Sequence, residues 1–358
     1  MFAAVTRSPG DIVIDDIPEP GHPRAGRVVV RPETVGICGS DLHLFSGHTG
    51  ALSDARDFFP RIQGHEISAV IDELGAQAPP HLRPGMRVAV MPETRCGHCY
   101  PCRTGRSNVC VQLRLVGVHL DGGLQERLDV KANAAFPAGD LDAGCTAFAE
   151  PMSIAVHALR RAGPTAWAGK GRERGDLLIL GAGPIGLATV LAATAAGLEV
   201  MVADPAAHRR QLALDIGAAR AVWGDPAQLN DVTRDWTEGD GPPLVIEASG
   251  AEEALTLATE VVSHAGRVVV VGMSAGTAPV RPGVFPEKEI EVVGSSAACP
   301  PDFGEAVRLV AENRAKVSKL LTHRFPLSRA SDAFRFAGKH EPDAVKIQIT
   351  VSGGGAET

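Results

Sequence analysis

Four of the chain's seven cysteines fall in one short stretch, "CGHCYPCRTGRSNVC", spaced C-x2-C-x2-C-x7-C. Thiolates this close in sequence can complete a tetrahedron around zinc, so Cys96, Cys99, Cys102 and Cys110 are read as a structural zinc cage that orders its own loop. A filled cage leaves no open position for water or substrate. An iron-sulfur cluster is the competing occupant, although nothing else in the sequence points to electron transfer. A second set of possible ligands is scattered. The segment "GICGSDLH" offers Cys38, Ser40, Asp41 and His43, "QGHE" offers His65 and Glu66, and "FAEPMSIAVHAL" offers Glu150. Catalytic zinc is held by three protein ligands and one exchangeable position, which such a set can supply. Taken singly, each has a plainer explanation: a lone cysteine is a small buried hydrophobe, and a histidine or glutamate is a surface group or a satisfied hydrogen-bonding residue. Spacing alone does not bring them together.

A third pattern is G-x-G-x-x-G at Gly181, Gly183 and Gly186, directly after an apolar run and at the mouth of an Ala/Leu-rich helical segment. Backbone amides and the helix N-terminus at such a turn bind a pyrophosphate, and Pro184 and Ile185 lie inside the motif. Asp204, eighteen residues beyond Gly186, ends the next apolar run. A carboxylate there accepts from the ribose hydroxyls of NAD and repels the 2'-phosphate of NADP. The competing reading is a tight strand-to-helix turn with no ligand. Arg209 and Arg210 complicate the choice, since a phosphate within their reach would revive NADP. Val271, the last residue of the run "RVVVV", completes the predicted dinucleotide set.

The elements that must position these groups differ along the chain. From Val28 to about Val90, short apolar runs are separated by Gly and Pro, the pattern of strands joined by turns. Around Gly175 the texture changes to strand, Gly-rich turn, helix, strand. The alternation continues through "PPLVIEASG", "AEEALTLATEVVSHAG" and "RVVVVGMS", so a doubly wound parallel sheet is expected from about Gly175 to Gly272. The stretch "GPTAWAGKGRERG" reads as a linker and "SGGGAET" as a loose tail. After Glu289 come a strand-like run "IEVVGSS", a helix over Phe303 to Asn313, and a closing strand "AVKIQITV".

The chain's 358 residues exceed the ~250–300 at which single cores stop growing, which favours two domains. With 44% hydrophobic and 22% charged residues and a formal charge of -7, composition is that of a globular protein with no basic footprint for nucleic acid. No membrane-length apolar run or leader pattern is seen, and thiols clustered as C-x2-C favour a reducing, cytoplasmic setting. No internal repeat is present.

Taken together, "GICGSDLH", "GHE", the four-cysteine loop and "GAGPIG" with its downstream Asp occur in the order and approximate spacing of the zinc-containing medium-chain alcohol dehydrogenases. The chain resembles that family over nearly its whole length. The resemblance implies an α/β protein in which residues 1–157 and 293–358 form a GroES-like catalytic domain, with the zinc lobe at about 92–112. A Rossmann NAD-binding domain is inserted at 158–292, and the active site lies in the cleft between them. By the same resemblance Cys38, His65 and Glu66 are catalytic-zinc ligands. Glu150, where ethanol-using members carry Cys, is matched by the Glu-Pro of sorbitol dehydrogenase-like members. It reaches the metal directly or through water. Cys145 is a possible substitute thiolate, but Glu150 is favoured and Cys145 and Cys299 are read as structural. Ser40 takes the alcohol's proton, His43 passes it to solvent, and Asp41 orients His65. The implied activity is hydride transfer to NAD from a secondary alcohol of a polyol, sugar alcohol, cyclitol or related metabolite, with two zinc ions per chain. Threonine 3-dehydrogenase or another amino-alcohol dehydrogenase is the alternative. A catalytically inactive NAD- and zinc-binding scaffold is the alternative of another class. The expected partners are a small-molecule alcohol and further copies of the chain in a homodimer or homotetramer, with neither nucleic acid nor membrane.

Overall fold

A computed structural model describes residues 1–47, 58–163, 177–223, 225–274, 276–339 and 341–351. The expected linker at 163–175 lies almost wholly outside these residues, and the tail at 352–358 does so entirely. The chain divides into two compact units, one of Met1–Glu150 with Cys299–Thr358 and one of Pro151–Ala298.

The first unit is built on β-structure. Its main sheet runs in the order Ala135–Pro137, Arg87–Val90, Glu66–Leu74, Arg27–Gly36, Lys346–Thr350, Leu321–Pro326, and Leu128–Lys131 also pairs with Arg27–Gly36. The central strand Arg27–Gly36 is buried along most of its length because it has neighbours on both edges and helices or strands over its faces. Its β-branched Val28, Val30 and Val35 join Ile67, Ile71, Val88, Val90, Phe334 and Ile349 in one apolar core. The C-terminal strand is inserted beside Arg27–Gly36, with Gln348 opposite Gly36. That insertion carries the strand Lys346–Thr350 into the middle of the unit. A separate two-stranded ladder, Glu93–Thr94 with Arg114–Leu115, frames the four-cysteine segment.

The second unit holds a six-stranded, fully parallel sheet. Its order is Arg220–Val222, Val200–Ala203, Leu177–Leu180, Leu244–Glu247, Arg267–Val270, Glu291–Gly294. Numbered along the chain this is 3-2-1-4-5-6, the doubly wound order with its switch point beside the first strand. The three central strands are completely buried, as sheets covered on both faces require. The run "IEVVGSS" is the sixth strand of this sheet rather than a separate one, and it leaves an exposed edge. The helix expected from Phe303 begins earlier, at Pro300, and ends at Glu312. Two prolines read locally as loop, yet proline is tolerated in a first turn where its missing N–H has no partner to lose. No helix among the described residues is long and apolar enough to cross a membrane.

Candidate metal centres and dinucleotide turn

In the cysteine segment the chain turns back on itself at Gly97 (φ +79°), and a short helix, Tyr100–Arg103, lifts Cys102 towards the other thiols. Cys110 Sγ lies 3.5 Å from Cys96 Sγ and 3.7 Å from Cys99 Sγ. These separations are far too long for a disulfide and close to the ~3.8 Å edge of a zinc–thiolate tetrahedron with ~2.3 Å bonds. Backbone N–H groups of Cys96 and Gln112 donate to Cys110 Sγ, and that of Cys99 donates to Cys96 Sγ, as thiolates would be supported. A backbone hydrogen bond from Cys102 draws the Cys99 thiol down to about 6. Burial and the neighbouring Cys99 push Cys102 up to about 12. Four thiols gathered this closely, with amide donors on Cys96 Sγ and Cys110 Sγ, are a donor set suited to a divalent cation.

The second centre is assembled by three elements of the same unit. Cys38 caps the helix Gly39–Phe45, and Asp41 in its first turn accepts from the Cys38 N–H at 3.0 Å. The fully buried Asp41 also accepts from the Gly64 N–H at 3.4 Å, while Gln63 Nε2 donates to its backbone carbonyl at 2.9 Å. This latches the helix onto the segment carrying His65. His65 Nδ1 lies 3.5 Å from Asp41 Oδ1, so this nitrogen is turned to the carboxylate and Nε2 is the one left for a metal. Donor atoms of Cys38, His65 and Glu66 all lie within 4.8 Å of one another. Burial raises the Cys38 thiol, but His65 outweighs it and brings it below its usual value, towards the thiolate that ligates metal. Burial lowers His65, but Asp41 and Cys38 outweigh it and hold it well above the ordinary range.

Glu150 stands in the first turn of the helix Ala149–Arg161 and falls outside the 4.8 Å set. It is nevertheless a neighbour. Burial, reinforced by Glu66, Cys38 and Glu93 and opposed by His65, pushes its carboxyl well above the usual range. So many acidic groups around one buried imidazole fit a divalent cation in their midst. Ser40 is half-buried and His43 exposed, three residues apart on the helix Gly39–Phe45. Cys145 is completely buried beside Ser318 Oγ at 3.5 Å, its thiol pushed to about 11 by burial. Cys299 caps the helix Pro300–Glu312 and approaches Asn108 Oδ1 at 3.4 Å.

In the second unit Gly181 (φ +101°) makes the turn out of the strand Leu177–Leu180, and Gly183 caps the helix Pro184–Ala195. A Cβ on Gly186 would stand 1.9 Å from the Gly181 carbonyl oxygen, so helix and turn close together only without one. A Cβ on Gly183 would meet nothing within 4 Å, which leaves backbone open where a pyrophosphate could approach. Ile185 follows Pro184 in the first turn, and Val271 follows the strand Arg267–Val270 with its N–H on the Glu247 carbonyl. Asp204 ends the neighbouring strand and is tied to the turn, Oδ2 accepting from Ala182 N–H at 2.7 Å and Oδ1 from Ala206 N–H at 2.8 Å. Each oxygen keeps a further lone pair for a hydroxyl donor. Arg210 donates to the carbonyls of Asp204 and Pro205 and is thereby engaged with backbone. Arg209 is partly buried on the same helix, Ala207–Ile216.

Sequence reasoning missed Lys346. Its Nζ donates to Glu66 Oε1 at 2.6 Å and Oε2 at 2.8 Å in the buried interior. The available signal was a lone Lys inside an apolar strand run, which when buried requires a counter-charge. That partner lies 280 residues away.

Residues 24–140 match the alcohol dehydrogenase GroES-like domain, and residues 184–312 match the zinc-binding dehydrogenase family. L-galactonate-5-dehydrogenase of Escherichia coli K12 is 34% identical over 352 residues, covering 98% of this chain and 99% of that protein. Human sorbitol dehydrogenase is 32% identical, covering 93% of this chain and 91% of its own. Among solved structures, the E. coli CFT073 RspB alcohol dehydrogenase in complex with NADH superposes with a TM-score of 0.86 at 31% identity, over 98% of this chain and 99% of that one. Similarity of this extent to proteins matched end to end means that the chain belongs to the zinc-type medium-chain alcohol dehydrogenases, in their sorbitol dehydrogenase-like branch.

Proposed function

We propose that this chain is an NAD-dependent zinc enzyme that oxidises a secondary alcohol of a polyol, sugar alcohol, cyclitol or sugar acid. The observation that carries the reading is the convergence of Cys38, His65 and Glu66 donor atoms within 4.8 Å. Cys38, His65 and Glu66 would hold the catalytic zinc, with Glu150 beside them, and the four-cysteine lobe would hold a structural one. Bound there, zinc supplies Lewis-acid polarisation of an alcohol oxygen, and NAD supplies the hydride acceptor. Ser40 accepts the hydroxyl proton at Oγ, and His43, exposed on the same helix, passes it to solvent. Asp41 holds the imidazole of His65 in one orientation. Gly181, Gly183 and Gly186 admit the pyrophosphate with Pro184 and Ile185 at the helix start. Asp204 receives the ribose hydroxyls, and Arg209 and Val271 line the same site. The Asp204 carboxylate and the backbone engagement of Arg210 both support NAD over NADP.

The polyol and sugar-acid names of the relatives support a multiply hydroxylated substrate over an amino alcohol. Cysteines clustered as C-x2-C for metal ligation support a reducing, cytoplasmic setting. The unpaired edge of the strand Glu291–Gly294, with Val292 exposed, supports a homodimer or homotetramer built on that sheet.

Purified protein should bind about two zinc ions per chain and reduce NAD with polyols or aldonates faster than with threonine. Cys38→Ser should lose one zinc and turnover while keeping its fold by circular dichroism. Turnover that survived in a folded, zinc-depleted Cys38→Ser protein, or oxidation of amino alcohols alone, would contradict the assignment.

A further inference from the structure

The second unit uses its two described tryptophans differently. Trp236 is 2% exposed and its Nε1 donates to Glu199 Oε1 at 3.2 Å, as a packed indole requires. Trp223 is 57% exposed, and among the described residues no ring or cation lies against it. A single exposed apolar side chain is ordinary on a protein surface, so its place in the sheet is what distinguishes this one. Trp223 directly follows the strand Arg220–Val222, at the C-terminal edge of the parallel sheet, where open α/β folds bind their ligands. Ala203 pairs with Val222, and the Asp204 N–H donates to the Val222 carbonyl at 3.2 Å. Trp223 is therefore the next residue across from Asp204.

The strand order puts the Gly181 turn, Asp204 and Trp223 in a row along that edge, each one strand from the next. With ~4.8 Å between strands the row is about 10 Å long, which is the reach of a nucleoside from its phosphate to its base. A dinucleotide with its pyrophosphate at the turn and its ribose hydroxyls on Asp204 thus carries its base towards the indole. Every base has a flat π-face, and exposed aromatic rings are the platforms on which bases stack. Resting on the NAD reading above, we propose that Trp223 is the platform on which the adenine of NAD stacks, a binding residue that neither the glycine motif nor its acid reveals. The adenine lies far from the transferred hydride, so the stacking holds the cofactor in the ground state and the transition state alike.

The test uses the full-length, zinc-loaded protein and three probes: NADH, ADP-ribose, and NMN, which lacks the adenine. Trp223→Ala should weaken NADH and ADP-ribose by the same factor of about ten, at the low end of what removal of a stacked ring costs. NMN affinity should not change. KM for NAD should rise about tenfold at constant kcat, and melting should be unaffected because so exposed a side chain packs little. Trp223→Phe keeps a flat ring and should hold ADP-ribose within about threefold of wild type. Saturating ADP-ribose should quench part of the wild-type indole emission, and Trp223→Phe should lose that quench. A Trp223→Ala protein that binds ADP-ribose as tightly as wild type would overturn the proposal. An equal loss of NMN affinity would do the same, since it would mean a distorted site instead of a missing platform. If Trp223→Ala does not fold, wild-type emission decides: no quench at saturating ADP-ribose overturns the assignment. Failure of the wider reading looks different, because wild-type protein would then bind neither NADH nor ADP-ribose.

Discussion

At the scale of single residues, this molecule concentrates its buried charge around Cys38 and His65. Asp41 does three things at once: it caps the helix behind Cys38, ties that helix to Gly64, and faces His65 Nδ1. Asp41→Asn keeps the shape and part of the hydrogen bonding but removes the charge that faces the imidazole. Affinity for the second zinc should fall about 10- to 100-fold, the range typical when a carboxylate behind a histidine ligand is changed. Competition with a chromophoric chelator measures this. The four-cysteine site, whose donors lie elsewhere in the unit, should keep its ion. Loss of both ions together would show that Asp41 supports the whole unit instead of one site.

At the scale of elements, the turn from the strand Leu177–Leu180 into the helix Pro184–Ala195 separates two uses of glycine. Gly186 lacks a Cβ because the Gly181 carbonyl stands where it would go, whereas Gly183 faces open space. Gly186→Ala should therefore lower both the melting temperature and NADH affinity. Gly183→Ala should leave melting unchanged, since its backbone already suits an L-residue. It should still weaken NADH binding about tenfold, equivalent to ~1.4 kcal/mol, by standing where the pyrophosphate approaches. Differential scanning fluorimetry beside NADH fluorescence titration distinguishes the two. Equal melting losses in both variants would mean that the turn is only a packing device.

At the scale of the whole molecule, the two units have separate apolar cores, and both thiol-bearing donor clusters belong to the first. Chelation should abolish turnover and lower the unfolding temperature of the first unit, where the metal sites contribute folding energy. NADH binding by the second unit should stay within about threefold, since its Gly-rich turn draws on its own strands and helices. Calorimetry would then show two transitions where the loaded protein shows one or a narrower pair. Much of this organisation is legible from local sequence. Cysteine spacing identifies the lobe because four ligands come from one short loop. The glycine pattern identifies the dinucleotide turn because strand, turn and helix are contiguous, and valine-rich runs mark the strands because burial selects β-branched residues. The exception among the elements is instructive: Pro300 and Pro301 read as loop until the helix that tolerates them in its first turn is seen. What the chain left undetermined until it folded is the set of contacts between distant segments. The meeting of Cys38 with His65 and Glu66, the position of Glu150 just beyond them, and above all the pairing of Glu66 with Lys346 across Gly36 depend on strand order in a sheet. Sheet order is set by which apolar faces pack together over the whole unit, and no local spacing encodes it.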